Sequence, residues 1–184
     1  MKQEYTITIY SENSVGLLTQ VSSVFSRRHI NIESITASES AIKGIHKYTI
    51  VIFSDKTEVE NLIRQIERCI DVLKAYAFKD DEIVYQEIAL YKVSTEALFG
   101  GNEIEEIVRR YSARILEVTA GYAIIQKTGH KSETQELFER LKPYGVAQFT
   151  RSGRIAVNKL KKEPLAEYLR MQEEEQIKSN NQVN

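Results

Sequence analysis

Tryptophan is absent from the 184 residues, and there are only two prolines, one cysteine and three histidines. A single thiol, Cys69, makes no intrachain disulfide, which argues against a disulfide-stapled secreted scaffold. His29, His46 and His130 are scattered without metal-ligand spacing, so no histidine-built metal centre is expected. Apolar runs reach only a few residues, far short of the ~20 that span a bilayer. The stretch Met1-Lys2-Gln3-Glu4-Tyr5 runs straight into a strand pattern, with no signal-peptide core. Charge of one sign is also lacking. The net value of −1 gives no electrostatic case for nucleic acid or an anionic membrane. Arg27-Arg28 and Lys159 with Lys161-Lys162 are too short to read as a DNA-binding footprint. Gly100-Gly101-Asn102 precedes a helix but lacks the Lys-Ser/Thr of a phosphate loop, and reads as a turn. These absences point to a cytoplasmic protein with no cofactor of its own and no catalytic constellation.

What is present is ordinary globular composition, 42% hydrophobic and 28% charged, over a length that suits two domains of about 80 residues each. Residues 5–10 alternate with period two, which predicts a strand. Leu17, Leu18, Val21, Val24 and Phe25 lie on one face of a helix of about three turns. Strands follow at 31–36 and 48–53, then a helix from Thr57 with Val59, Leu62, Ile63 and Ile66 on one face, then a strand at 72–78. The order is βαββαβ, the ferredoxin-like arrangement, with both helices on one face of an antiparallel sheet. The opposite face is expected to be open to solvent or a partner.

A short charged link, 79–82, separates a second round of the same order. Strands are expected at 85–93, 114–119 and 122–127, helices at 102–111 and 132–142, and short closing strands at 146–150 and 154–157 around Ser152-Gly153. The fold class is therefore α+β, two tandem ferredoxin-like βαββαβ domains, at 1–79 and 83–160. The segment 161–184 is a polar tail, partly helical or disordered. Pro164 is placed to open a helix carrying Leu165, Tyr168 and Leu169, and 172–184 reads as frayed.

The first strand-to-helix junction, Asn13-Ser14-Val15-Gly16-Leu17, has chemistry suited to a carboxylate. A helix start offers free backbone N–H groups and the positive end of the dipole. Gly16 lets a ligand approach the backbone, and Asn13 supplies an amide donor or a cap. A plain capped helix after a turn glycine accounts for the same residues, and a turn asparagine accounts for Asn31. Helix one must end near Arg28 and turn sharply into strand two. His29 or a neighbour is therefore expected at positive φ, where helix ends usually place Gly.

Asn13-x-x-Gly16, Phe25-Ser26, Asn31-Ile32-Glu33-Ser34-Ile35, Asp71-Val72-Leu73, Arg114-Ile115-Leu116-Glu117-Val118-Thr119 and Arg151-Ser152-Gly153 together resemble the small regulatory subunits of acetohydroxyacid (acetolactate) synthase. The resemblance spans residues 3–158, and the first domain is similar to their ACT domain. Departures are Gln20, where the family usually has Arg, His29-Ile30 in place of a Gly-aromatic pair, and a longer tail. The resemblance implies a non-catalytic chain that forms a homodimer through its ACT domains. It implies that valine or another branched-chain amino acid binds at Asn13, Ser14, Val15, Gly16 and Leu17 of one protomer, with Asn31 and Ile32 from the other. It implies a large catalytic partner carrying thiamine diphosphate, Mg and FAD, none of them on this chain. The rival reading is a stand-alone tandem-ACT amino-acid sensor without a catalytic partner.

Overall fold

The computed structural model describes the backbone of residues 1–181 and the side chains of 1–174; the expectation of a frayed end falls partly on 182–184, outside the described residues. The chain forms two compact units, 1–84 together with 156–184, and 85–155.

In the first unit the alternation around residues 5–10 lies inside a longer strand, β1 (Gln3–Glu12). It is followed by α1 (Leu17–Arg27), β2 (Ile32–Glu39), β3 (Ile45–Ser54), α2 (Lys56–Ile66) and β4 (Val72–Phe78), in sheet order β2-β3-β1-β4. β1 is central and antiparallel to both neighbours. Ile7, Ile9, Ile50 and Ile52 point to one face. Leu17, Val21, Val24 and Phe25 of α1 and Val59, Leu62 and Ile66 of α2 close over them as one core. Asp55 caps α2, its carboxylate accepting from the Glu58 amide at 3.0 Å.

The opposite sheet face differs from the expectation of an open surface. Thr6, Thr8, Tyr10, Thr49 and Val51 are all buried there. Part of the cover comes from α6 (Pro164–Asn181), the sixth α-helix among the described residues. Its Leu165, fully buried, packs with Tyr10 and Ile45, and Tyr168 and Leu169 join Ile42, Leu73 and Tyr76 around them. The i, i+3, i+4 spacing of Leu165, Tyr168 and Leu169 makes the stripe. The Gln/Glu-rich stretch behind it is built of good helix formers, so the helix continues through residues that polarity alone marks as frayed.

The second unit repeats the plan with β5 (Ile83–Ser94), α3 (Thr95–Phe99), α4 (Glu103–Arg110), β6 (Arg114–Val118), β7 (Tyr122–Gly129), α5 (Lys131–Leu141) and β8 (Val146–Arg151), in order β6-β7-β5-β8. The short α3 has no counterpart among the expected elements; the Ser94 hydroxyl caps it, accepting from the Ala97 amide at 3.0 Å. The closing strands β8 and β9 (Ile155–Asn158) do not form a hairpin with one another. Each pairs with β5. At the break between them the Ser152 amide donates to Ile88 O, and the Ile88 amide donates to Ser152 Oγ at 2.9 Å, so a hydroxyl stands in for a ladder carbonyl.

The two units share details that periodicity could not reveal. His29 has φ 55 and Ser112 has φ 50, the positive-φ residues other than glycine among those described. Each follows the C-cap of the helix before an edge strand. The His29 amide bonds Ser26 O and the Ile30 amide bonds Phe25 O, while Ser112 and Ala113 bond Arg109 O and Val108 O in the same pattern. Both edge strands then shift register near their start, between Ile32 and Ser34 and between Ile115 and Glu117. His29→Gly should therefore be neutral or stabilising by up to about 1 kcal/mol, because the left-handed region costs an L-residue about that much. Chemical denaturation checks this, and a loss above about 1 kcal/mol contradicts it.

Candidate functional site

The candidate ligand loop, 13–16, is held at its start and runs directly into α1. The Asn13 amide donates to Gly44 O at 3.1 Å, the Glu12 amide to Asp71 O at 2.9 Å, and the Ser14 hydroxyl to Asp71 Oδ2 at 2.6 Å. In the sequence Asp71 is a simple interruption before a strand, whereas in the fold its side chain and carbonyl both anchor this loop. The Ser14 hydroxyl proton is thereby committed to the protein.

Gly16 occupies the N-cap of α1 with φ 88, and no side chain caps the helix. The first intrahelical bond at this end runs from the Gln20 amide to Gly16 O. The amides of residues 17–19 precede it and have no intrahelical partner. No acidic residue lies in the first turn, so the positive end of the dipole is not offset by a side chain of its own helix. Glycine here serves the backbone as well as access. Its φ strains other L-residues, while a Cβ would meet nothing within 4 Å. Asn13, Val15 and Gly16 are exposed, whereas Leu17 is turned wholly into the core, so the loop presents backbone, one amide side chain and one valine to the surface.

The structure brings Asn13, Ser14, Val15, Gly16 and Leu17 together. Asn31 and Ile32 lie beyond the other end of α1, whose eleven residues span about 16 Å. Within one chain these two groups do not meet on a ligand of amino-acid size. Asn31 Nδ2 donates instead to Glu33 Oε1 at 2.8 Å. Around the loop, Asn13 shares a concavity with Gly44, Leu73 and Leu169 of α6, whereas Gly16 borders a second one running along α1 to Arg27 and Cys69. Burial pushes the Cys69 thiol up, and Arg27 pulls it partly back.

The Arg151-Ser152-Gly153 motif does structural work in the second unit. Arg151 donates to Lys131 O at 3.3 Å and Gln135 Oε1 at 3.0 Å, tying α5 to β8. Its Nε lies 3.8 Å from the buried Glu87 carboxylate. The Arg154 guanidinium stacks 3.6 Å over the Tyr85 ring. No group of three or more His, Cys, Asp or Glu among the described residues is placed to hold a metal, and no described helix is long and apolar enough to cross a membrane.

A βαββαβ unit with an uncapped, glycine-entered first helix, followed by a second unit of the same topology, defines a tandem ACT-type protein. Comparison with known proteins narrows this. Residues 7–74 match the profile of the AHAS small subunit-like ACT domain, and residues 86–160 that of the small subunit of acetolactate synthase. The acetolactate synthase small subunit of Bacillus subtilis is 34% identical over 157 residues, 85% of this chain and 90% of its own length. That of Mycolicibacterium smegmatis is 31% identical over 84% of this chain and 91% of its own. The crystal structure of the acetolactate synthase small subunit from Thermotoga maritima superposes with a TM-score of 0.79 at 27% identity, covering 87% of this chain and 99% of that one. The chain belongs to the acetolactate synthase small subunit family.

Proposed function

We propose that this chain is the non-catalytic regulatory subunit of an acetolactate synthase, raising the rate of a separate catalytic subunit and conferring feedback inhibition by valine or another branched-chain amino acid. The observation that carries the reading is the exposed, uncapped start of α1 behind Gly16 at φ 88, a cradle of backbone donors for an α-carboxylate. The effector's ammonium and side chain meet the exposed Asn13 and Val15, while Leu17, wholly buried, supports the loop from the core. Asn31 and Ile32, remote in the same chain, complete the site from the partner of an ACT-domain homodimer. Sensing a metabolite near millimolar requires only about −4 kcal/mol, within reach of a few backbone hydrogen bonds and a small apolar contact. Thiamine diphosphate, Mg and FAD belong to the catalytic partner. Inhibition requires the effector to favour one of two states of the complex, since equal affinity for both shifts nothing.

The test is reconstitution with an acetolactate synthase catalytic subunit, assaying acetolactate formation. This chain alone should be inactive, should raise the partner's rate, and should lower it again when valine, leucine or isoleucine is added. A partner rate that never responds to this chain overturns the reading in favour of a stand-alone sensor.

A further inference from the structure

β6 is the edge strand of the second sheet, bonded to β7 on one side only. All five of its residues are exposed, and Ile115, Leu116 and Val118 retain 38%, 51% and 46% of their surface. Its free side presents a row of main-chain donors and acceptors. Edge strands are commonly blunted by proline, by charged side chains or by a bulge; β6, Arg-Ile-Leu-Glu-Val, has no proline and carries two charges of opposite sign either side of a register shift.

The charges of β6 are arranged for pairing with itself. Arg114 stands opposite Gln126 and Glu117 opposite Ile124, two residues apart on β7. Residues three apart on a regular strand point to opposite faces; the register shift at Leu116 puts these two on the same face. A two-fold axis between Ile115 and Leu116 and normal to the sheet would set Arg114 against Glu117 of the second copy, twice, and Ile115 against Leu116. The neighbouring register, centred on Leu116, would set Ile115 against Glu117 and leave Arg114 facing Val118. Opposite charges facing across a ladder stabilise it, and like charges disfavour it.

We propose that β6 is a self-association edge, through which two copies of this chain pair their second sheets antiparallel in the Arg114–Glu117 register. The palindromic charge order selects a second copy, since an unrelated strand would not require it. Neither Arg114 nor Glu117 is among the residues of the proposed effector site.

Two full-length charge variants and their mixture test it. Arg114→Glu gives a strand with Glu at both positions, and Glu117→Arg gives one with Arg at both. Each alone repels its own copy, while the two together attract. Sedimentation velocity across a concentration series should show each variant alone associating about tenfold more weakly than the unmodified chain, with the equimolar mixture restored to within about threefold. Association through the first unit is common to all samples and does not respond to mixing. Circular dichroism melting controls for folding at these exposed positions. Variants that self-associate like the unmodified chain, or a mixture no tighter than its components, overturn the proposal, the second result pointing to a heterologous partner or to a free edge.

Discussion

Gly16→Asp should abolish inhibition by the branched-chain effector while leaving activation of the catalytic subunit intact. The substitution places a carboxylate where the effector's own carboxylate is proposed to sit, and like charges at such distance cost several kcal/mol. The concentration of valine giving half-inhibition should rise by about a hundredfold or more, equivalent to about 3 kcal/mol. Backbone strain accompanies the change, since Gly16 has φ 88. Gly16→Ala carries that strain without the charge, and nothing within 4 Å obstructs its methyl. The alanine variant should therefore retain most of the response and separate repulsion from distortion. Titration calorimetry with valine reads the same contrast without the partner. If Gly16→Asp responds as the unmodified chain does, the effector is bound elsewhere.

Removal of residues 161–184 should bring Tyr10 down toward ordinary phenol behaviour. In the intact chain burial pushes the Tyr10 phenol well up, and the adjacent Glu163 carboxylate, which accepts a hydrogen bond from its hydroxyl at 3.1 Å, pushes it further. Tyr76 is raised as well, first by burial and then by Glu67 and Tyr168. Without Glu163 and α6, tyrosinate absorbance should grow in at lower pH, nearer the usual value of about 10. Tyr91 in the second unit, pushed up to about 12 by burial, serves as the control that stays unmoved. A phenol raised above its unfolded value binds its proton more tightly when folded. The stability this contributes is full below about pH 10, where the unfolded phenol titrates, and is lost as pH climbs from there through the raised folded value; the shortened chain has less of that slope. Leu165→Asp should release the helix by burying a charge in the same apolar contact. A Tyr10 titration unchanged by truncation means that α6 does not rest on this sheet in solution.

Much of this was legible from residue order alone. Alternation at 5–10 and the one-sided stripes of α1, α2 and α5 fix element type because burial on one face imposes period two or 3.6. The sharp exit of α1 located the positive φ at His29, since few dihedrals join a helix to a strand in so short a span. What periodicity missed depends on where distant segments land. Tyr10, Tyr76 and Ile45 look like an outward face until α6 reaches them. Asp71 looks like a break in the chain until Ser14 comes within hydrogen-bond distance. At the proposed effector loop, residue types suggested carboxylate chemistry, and a helix ending near Arg28 already set Asn31 beyond its far end; what the sequence could not show is that Asn31 Nδ2 donates to Glu33 and that Asp71 anchors Ser14.

The helix that covers part of the first sheet is made only after the second unit. A ribosome releases β1, β2, β3 and β4, then all of the second unit, before Leu165 emerges to meet Tyr10 and Ile45. The first unit is thus continuous in space and interrupted in sequence, at 84 and 156. Until α6 emerges, an aromatic and aliphatic patch around Tyr10, Ile45 and Tyr76 lacks that helix on the nascent chain, the kind of surface that chaperones hold or that a neighbouring chain's tail can occupy. A tail that closes on its own sheet and a tail that closes on a neighbour's make the same contacts. The length of the connection from Asn158 to Pro164, together with local chain concentration during translation, then decides between a self-contained protein and an exchanged pair.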